Sequence, residues 1–233
     1  TTGPGDSSFV SKHIFDTAGL CICLPALSET DMQSAPKVYL QEEASAFVEA
    51  HLRENAVYYD KIKAKSGPVF KMIDQVFASY NIPKELKYLA VIESNLHTGA
   101  VSWAGAVGPW QFMPYTAKEL GLVVTNNFDE RKDYFKSTHA AAKYLLRLYQ
   151  QLHDWLLVIA AYNGGPGRVF DAIKKSGSKD FWSLQYYLPE ESRNHVKKFI
   201  ATHYVMETNA AGLPYNANFF KPGSSDQHPY DVK

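Results

Sequence analysis

Apolar residues recur at helical spacing through most of this 233-residue chain. Between about residues 38 and 210 they return every three or four positions, as they do on one face of an α-helix. The sequence contains no convincing run of alternating strands and no repeat with a period of about 20–50 residues. It therefore predicts an all-α domain of seven or more helices over roughly residues 38–210.

Capping residues and prolines mark the boundaries of the helices. We expect Ser137 to cap one helix and Pro83 to occupy the first position of another, because proline has no N–H to leave unpaired there. The periodic segments away from Pro83 cover residues 41–64, 68–79, 138–151, 154–162, 166–175 and 192–208.

The two ends of the chain lack this periodicity. Residues 1–37 are rich in Gly, Ser, Thr and Pro and are predicted to form an irregular N-terminal arm, whereas residues 211–233 contain three prolines and are predicted to form an extended tail. The chain does not begin with methionine, and we expect a targeting segment to have been removed.

Charge and composition exclude several classes of protein. The 24 basic residues balance 24 acidic ones, so we expect no nucleic-acid partner and no polybasic membrane surface. No apolar run approaches the roughly 18 residues needed to span a bilayer. Cys21 and Cys23 are too few for a zinc site and are interpreted as incidental thiols. The eight histidines are scattered, so we expect no metal site. We also expect no cofactor, and we expect the protein to be a monomer.

One glutamate continues an apolar helix face. Leu86, Leu89 and Ala90 stand at positions i, i+3 and i+4, and Glu93 is at i+7. Burial and the negative end of the helix dipole would both disfavour its charged form and raise its pKa. A carboxylic acid that keeps its proton near neutral pH can act as a general acid. Pairing with a cation, or exposure to solvent, is the alternative at this point.

The segment that follows, residues 102–114, is dense in small and aromatic residues. Gly105 and Gly108 allow backbone to approach a ligand closely, and Gln111 offers two donors and an acceptor. Surfaces for stacking on a ligand come from Trp103, Trp110 and Phe112. A tight connection between helices, packed by these aromatics, is the alternative.

Four segments in order resemble motifs of one family, the lytic transglycosylases with a soluble-lytic-transglycosylase (SLT) domain. The matching segments are Glu93-Ser94, Ser102–Ala117, Ala161–Val169 (AYNGGPGRV) and Pro189–Val196 (PEESRNHV). The Trp-Gln-Phe sequence at 110–112 is most similar to the membrane-bound lytic murein transglycosylase D branch.

The resemblance implies a lysozyme-like fold of the goose type and an activity on peptidoglycan glycan strands. The family cleaves the β-1,4 bond between N-acetylmuramic acid and N-acetylglucosamine without water, leaving a 1,6-anhydromuramoyl end. One glutamate serves first as acid and then as base, and Glu93 matches its position. The implied location is the periplasm, with association to the outer membrane; a lipid anchor would lie outside this sequence.

The resemblance also assigns residues to substrate binding. Ser102, Gln111 and Met113 match cleft positions, together with Trp110, while Tyr162 and Asn163 match the motif that supports substrate and acid. His195 is assigned to substrate binding as well, and it stands where the family usually has tyrosine. A histidine can also donate a hydrogen bond, but it titrates near neutrality.

Two other functions are open at this stage. The chain could be a hydrolytic muramidase in which Asp129, Glu130 or Asp133 supplies a second carboxylate, although a solvated charged turn explains those residues as well. It could also be a non-catalytic peptidoglycan-binding domain on the same fold, against which the presence of Glu93 argues.

Overall fold

The structure, a computed structural model, describes residues 13–15, 21–23 and 42–207. The predicted tail and most of the predicted N-terminal arm lie outside the described residues. The chain divides into two compact units, Thr1–Ala35 and Pro36–Lys233. In the first, strands β1 (His13–Phe15) and β2 (Cys21–Cys23) pair antiparallel, with Ile14 opposite Ile22. Within the predicted irregular arm these six residues thus form a short strand pair, which satisfies backbone groups that would otherwise be left to water.

The second unit is helical, which confirms the all-α prediction for its described residues. Three of its elements are short 3₁₀ helices. In chain order the elements are α1 (Glu42–Ser79), a 3₁₀ helix (Lys84–Lys87), α2 (Tyr88–Ser94), α3 (Pro114–Glu119), a 3₁₀ helix (Glu130–Lys132), α4 (Tyr134–Leu152), α5 (Trp155–Gly164), α6 (Pro166–Ser176), α7 (Phe181–Leu184), a 3₁₀ helix (Gln185–Tyr187) and α8 (Glu190–Glu207).

Helix α5 lies at the centre of this unit. Every residue from Leu157 to Ala161 is fully buried, as expected of a helix that is apolar on all sides. Helices α4, α6 and α8 pack around α5, while α1 packs against α4 and α8, and α2 packs against α8. The arrangement brings the end of α2, the end of α5 and the first turns of α8 around one part of the core.

Several predicted boundaries differ from the structure. Pro83 does not occupy the first position of a helix: it precedes the 3₁₀ helix Lys84–Lys87, and α2 begins only at Tyr88. The segments 41–64 and 68–79 form one continuous helix with Pro68 inside it. Proline removes its own N–H from the helix, but α1 is also held by packing against α4 and α8. Helix α4 begins at Tyr134, capped by the carboxylate of Asp133, which accepts from the Lys136 N–H at 2.8 Å. Ser137, the predicted cap, is buried inside the helix because Asp133 caps it four residues earlier.

The end of α5 is in close contact with the beginning of α8, because the residues at the contact are small. The Ser192 hydroxyl donates to Oδ1 of Asn163 at 2.9 Å. A Cβ placed on Gly164 would lie 2.3 Å from Oγ of Ser192. Glycine at position 164 therefore sets the approach of the two segments that carry Tyr162 and His195.

Replacing Gly164 by alanine is expected to lower the free energy of unfolding by about 1–3 kcal/mol, because the added methyl group overpacks the contact with Ser192. Gly167→Ala is the matched control, since a Cβ there meets nothing within 4 Å. Urea denaturation of both variants measures the difference. Equal stability of the two variants would show that the α5–α8 contact tolerates a side chain.

Candidate active site

Glu93 occupies the last turn of α2, at the end of a fully buried stripe. Leu86, Leu89 and Ala90 have no exposed surface, and the Glu93 side chain is 15% exposed. The apolar residues hold this face of the helix against the core. Glu93 is consequently mostly withdrawn from water but still open to an approaching ligand.

This setting keeps a proton on Glu93. Burial raises the pKa of its carboxyl to about 8, and the negative charge of Glu191 on α8 acts in the same direction. The positive charge of Lys198, also on α8, opposes them. At neutral pH Glu93 is therefore mainly a carboxylic acid, the form that general acid catalysis needs.

His195 lies directly beside this carboxyl. Its Nε2 is 3.3 Å from Oε1 of Glu93, yet it makes no hydrogen bond within the described residues. Burial, with a smaller effect from Lys198, lowers the pKa of His195 to about 4. The two groups therefore meet near neutral pH as an uncharged acid and an uncharged imidazole rather than as an ion pair.

Tyr162 connects α5 to the loop after α2. Its hydroxyl donates to the carbonyl oxygen of Trp110 at 2.8 Å. Burial first, and then the charge of Glu93, raises the pKa of Tyr162 well above its usual value, so the hydroxyl stays protonated. Among the residues assigned to the site, His195 lies against the Glu93 carboxyl, and Tyr162 is close enough for the charge of Glu93 to raise its pKa.

The loop after α2 folds back on itself as two short antiparallel bridges. Val107 pairs with Val101 and with Phe112, and the Ser102 hydroxyl accepts from the Ala106 N–H at 3.0 Å. Ser94, the neighbour of Glu93, donates its hydroxyl to the Pro109 carbonyl at 2.9 Å. These bonds fix the loop to the helix that carries the acid.

Gln111 stabilises the same loop. Its Nε2 donates to the Gly108 carbonyl at 2.8 Å and to the Ala100 carbonyl at 3.4 Å. Its backbone has a φ of 48°, in the left-handed region that residues other than glycine rarely adopt. Such strain persists only where neighbouring contacts hold it, and it often marks functional sites.

Arg131 holds this loop from the opposite side, a role that the sequence analysis missed. Its guanidinium donates to the carbonyls of Gly105 at 3.1 Å and Phe112 at 3.0 Å, and it pairs with Asp129 at 2.7 Å. A Cβ on Gly108 would lie 1.9 Å from the Arg131 carbonyl oxygen, so glycine is required where the two segments meet. The Asp-Glu-Arg sequence looked like a charged turn, and its partners lie too far away in sequence to be predicted.

The three acidic residues considered as a second catalytic carboxylate all have structural partners. Asp129 binds Arg131, and Asp133 caps α4. Glu130 accepts from the Val123 N–H at 2.7 Å and pairs with Lys136. Each of these carboxylates therefore stabilises local structure.

The structure corrects the assignment of Trp110 to substrate binding. Its ring is fully buried, and its Nε1 donates to Oγ1 of Thr138 at 3.0 Å, so no ligand can stack on it. Phe112 is likewise buried. By contrast, Trp103 is fully exposed and Met113 is 43% exposed. The accessible apolar side chains of this segment are thus at its two ends.

Helix α8 contributes two charged residues that the sequence analysis did not assign to the site. Glu191 and Lys198 stand four residues before and three residues after His195, a spacing that places all three on one helix face. The spacing of Glu191 and Lys198 from His195 could therefore have identified both residues from the sequence.

The described residues contain no cluster of His, Cys, Asp and Glu able to hold a metal ion. Within the same residues, no helix combines the length and the apolar character that crossing a bilayer requires.

Comparison with known proteins shows which family this chain is similar to. Residues 72–185 match the family model described as "Transglycosylase SLT domain". Over 160 residues, 66% of this chain, the sequence is 38% identical to "Membrane-bound lytic murein transglycosylase D" of Escherichia coli strain K12. Over 133 residues, 56% of the chain, it is 35% identical to "Peptidoglycan transglycosylase gp16" of Escherichia phage T7. The chain covers 35% of the first protein and 10% of the second.

A solved structure shows the same fold. The 70 kDa soluble lytic transglycosylase of Escherichia coli aligns with a TM-score of 0.51 and 23% sequence identity. The match covers 70% of this chain and 30% of that one. It confirms the prediction of a lysozyme-like helical fold.

Truncating the two tryptophans of the loop is expected to change stability by very different amounts. Trp110→Ala should lower the free energy of unfolding by about 3–5 kcal/mol, because it leaves a cavity in the core. Trp103→Ala, the control, should change it by less than about 0.5 kcal/mol because the side chain is fully exposed. Chemical denaturation measures both. A small loss for Trp110→Ala would contradict its place in the core.

Proposed function

We propose, on the premise that residues 72–185 of this chain belong to the transglycosylase SLT domain family, that the chain is a lytic transglycosylase acting on peptidoglycan. The observation that carries the proposal is the state of Glu93. It is a mostly buried carboxyl with a pKa raised to about 8, and it is bordered by His195. The family motifs around it supply the substrate class.

The reaction needs one proton donor that later becomes a proton acceptor. Glu93 gives its proton to the glycosidic oxygen between N-acetylmuramic acid and N-acetylglucosamine as the bond from C1 to that oxygen breaks. The Glu93 carboxylate then removes the proton from the muramoyl 6-hydroxyl, whose oxygen bonds to C1. The product is a 1,6-anhydromuramoyl end, the acid form of Glu93 is restored, and no water is consumed.

The roles of the other carboxylates support this reaction over hydrolysis. A hydrolytic glycosidase uses a second carboxylate close to the scissile bond. Asp129, Glu130 and Asp133 are engaged in structural contacts, as described above. Glu191 lies on α8 near enough to influence the Glu93 pKa, and its side chain is exposed to solvent. We assign it an electrostatic role rather than a catalytic one.

The glycan strand is assigned to the exposed ends of the loop. Aromatic faces suit the apolar faces of sugar rings, and Trp103 is fully exposed beside Ser102. Met113 is partly exposed at the other end. We place the protein in the periplasm, associated with the outer membrane, because its relative from Escherichia coli is named as membrane-bound.

Glu93→Gln is expected to reduce turnover by at least 10²–10⁴-fold, because the amide is nearly isosteric but cannot supply the proton. Digestion of purified sacculi, followed by mass spectrometry of the products, measures both rate and product. Glu54→Gln, which changes an exposed glutamate on α1, is the matched control and should keep its activity. Retention of more than about a tenth of the activity by Glu93→Gln would exclude it as the acid, and products with reducing ends would indicate a muramidase.

The pH dependence follows from the two neighbouring groups. Activity is expected to fall above about pH 8 as Glu93 loses its proton, and below about pH 4 as His195 becomes charged and stabilises the Glu93 carboxylate. Glu191→Gln removes a negative charge, so it should lower the Glu93 pKa and move the alkaline limb to lower pH. Lys198→Gln should move that limb to higher pH. Superimposable profiles for both variants and the wild type would contradict this account.

A further inference from the structure

We propose that His195 is a positioning residue that donates its Nε2–H to Oε1 of Glu93 and so leaves Oε2 as the oxygen that carries the catalytic proton. The inference rests on the proposed function of Glu93. It replaces the substrate-binding role that the family resemblance gave to His195, because the group that His195 meets is the acid itself.

The geometry of the two side chains carries the inference. Nε2 lies 3.3 Å from Oε1, and the His195 side chain is only 9% exposed. Nε2 is fully buried and has no hydrogen-bond partner within the described residues. An unpaired buried polar atom is costly, and a small rotation of either side chain would pair it with Oε1. The contact is therefore positioned to become a hydrogen bond when substrate settles against Glu93.

A donor at this position suits both halves of the reaction, whereas an acceptor suits only one. Neutral imidazole has one N–H, which sits on either ring nitrogen. With the proton on Nε2, His195 can donate to the carbonyl oxygen of the acid and, after proton transfer, to the carboxylate. With the lone pair on Nε2, it would bind the acid but repel the carboxylate. The proton on Nε2 thus allows Glu93 to keep one orientation throughout the cycle.

The surroundings keep both groups uncharged over the working range. On α8, Glu191 and Lys198 act on the Glu93 pKa, and Lys198 also acts on that of His195. From α5, the Tyr162 hydroxyl donates to the Trp110 carbonyl, and burial together with the charge of Glu93 raises its pKa, so it stays protonated. Among the described residues, no charged group from α1 contributes to either shift. Between about pH 4 and pH 8 the imidazole can consequently serve as a neutral donor.

His195→Phe and His195→Tyr form the matched pair that tests the inference, because the two rings differ only by the hydroxyl donor. In His195→Phe, kcat should fall roughly ten- to hundredfold with little change in KM, since the lost interaction orients the acid. Loss of a donor to the carboxylate should also raise the Glu93 pKa and move the alkaline limb up by about one pH unit.

His195→Tyr should restore kcat to within about threefold of wild type and return the alkaline limb toward its original position, since the hydroxyl donates again. It should also flatten the acidic limb, because no imidazolium can form. Identical profiles for the Phe and Tyr variants would overturn the proposal. A rise in KM with unchanged kcat in His195→Phe would return His195 to substrate binding. His203→Phe, the same change farther along α8, is the control and should move neither limb.

A measurement on the unaltered protein guards against variants that fail to fold. Nitrogen-15 NMR of the His195 ring at neutral pH should show the proton on Nε2, and a proton on Nδ1 alone would overturn the proposal. Failure of the inference is distinct from failure of the proposed function. If Glu93→Gln is inactive and the products are anhydromuramoyl ends, but the Phe and Tyr variants agree, only the role of His195 is wrong.

Discussion

The withdrawal of Glu93 from water is the constraint on which the site depends. A carboxyl on the surface ionises near pH 4 and cannot act as an acid at neutral pH. Here α2 ends against α8, and the buried residues Leu86 and Leu89 turn the Glu93 face of α2 inward. The contact between α5 and α8 at Gly164 and Ser192 keeps α8 close, which in turn places His195 against the carboxyl. The packing of the helices therefore determines the proton affinity of Glu93.

The loop after α2 forms a rigid wall beside Glu93, and it does so with few residues. Trp110 anchors it in the core, and Arg131 binds two of its carbonyl oxygens. Tyr162 binds a third, the carbonyl of Trp110, from α5. Gln111 belongs to the same network, because its side-chain amide donates to a carbonyl of the loop. It therefore works partly as a structural residue. The side chains that remain exposed, notably Trp103, are those to which we assign glycan binding in the proposed function.

The sequence was sufficient for the helical fold and for the inward-facing Glu93, because both depend on local periodicity. It was insufficient where distant residues decide the outcome. Trp110 is an aromatic in a glycine-rich segment, and only its bond to Thr138 shows that it belongs to the core. Arg131 similarly acquires its role from carbonyls 26 and 19 residues away in the chain. The amino-acid composition of a segment does not distinguish a ligand-binding residue from a structural one.

Helix α8 carries the charges that would suit Glu93 to the proposed sequence of acid and then base. Glu191, His195 and Lys198 share one face of this helix, and their effects on Glu93 differ in sign. Glu191 adds to the effect of burial by favouring the protonated form, whereas Lys198 favours the ionised form and so limits how far the pKa rises. A group that held its proton too firmly would be a poor acid, and one that released it too readily would be a poor base. Neutral His195 adds no net charge to this balance, and it is therefore suited to fixing the orientation of the carboxyl while the flanking charges adjust its proton affinity.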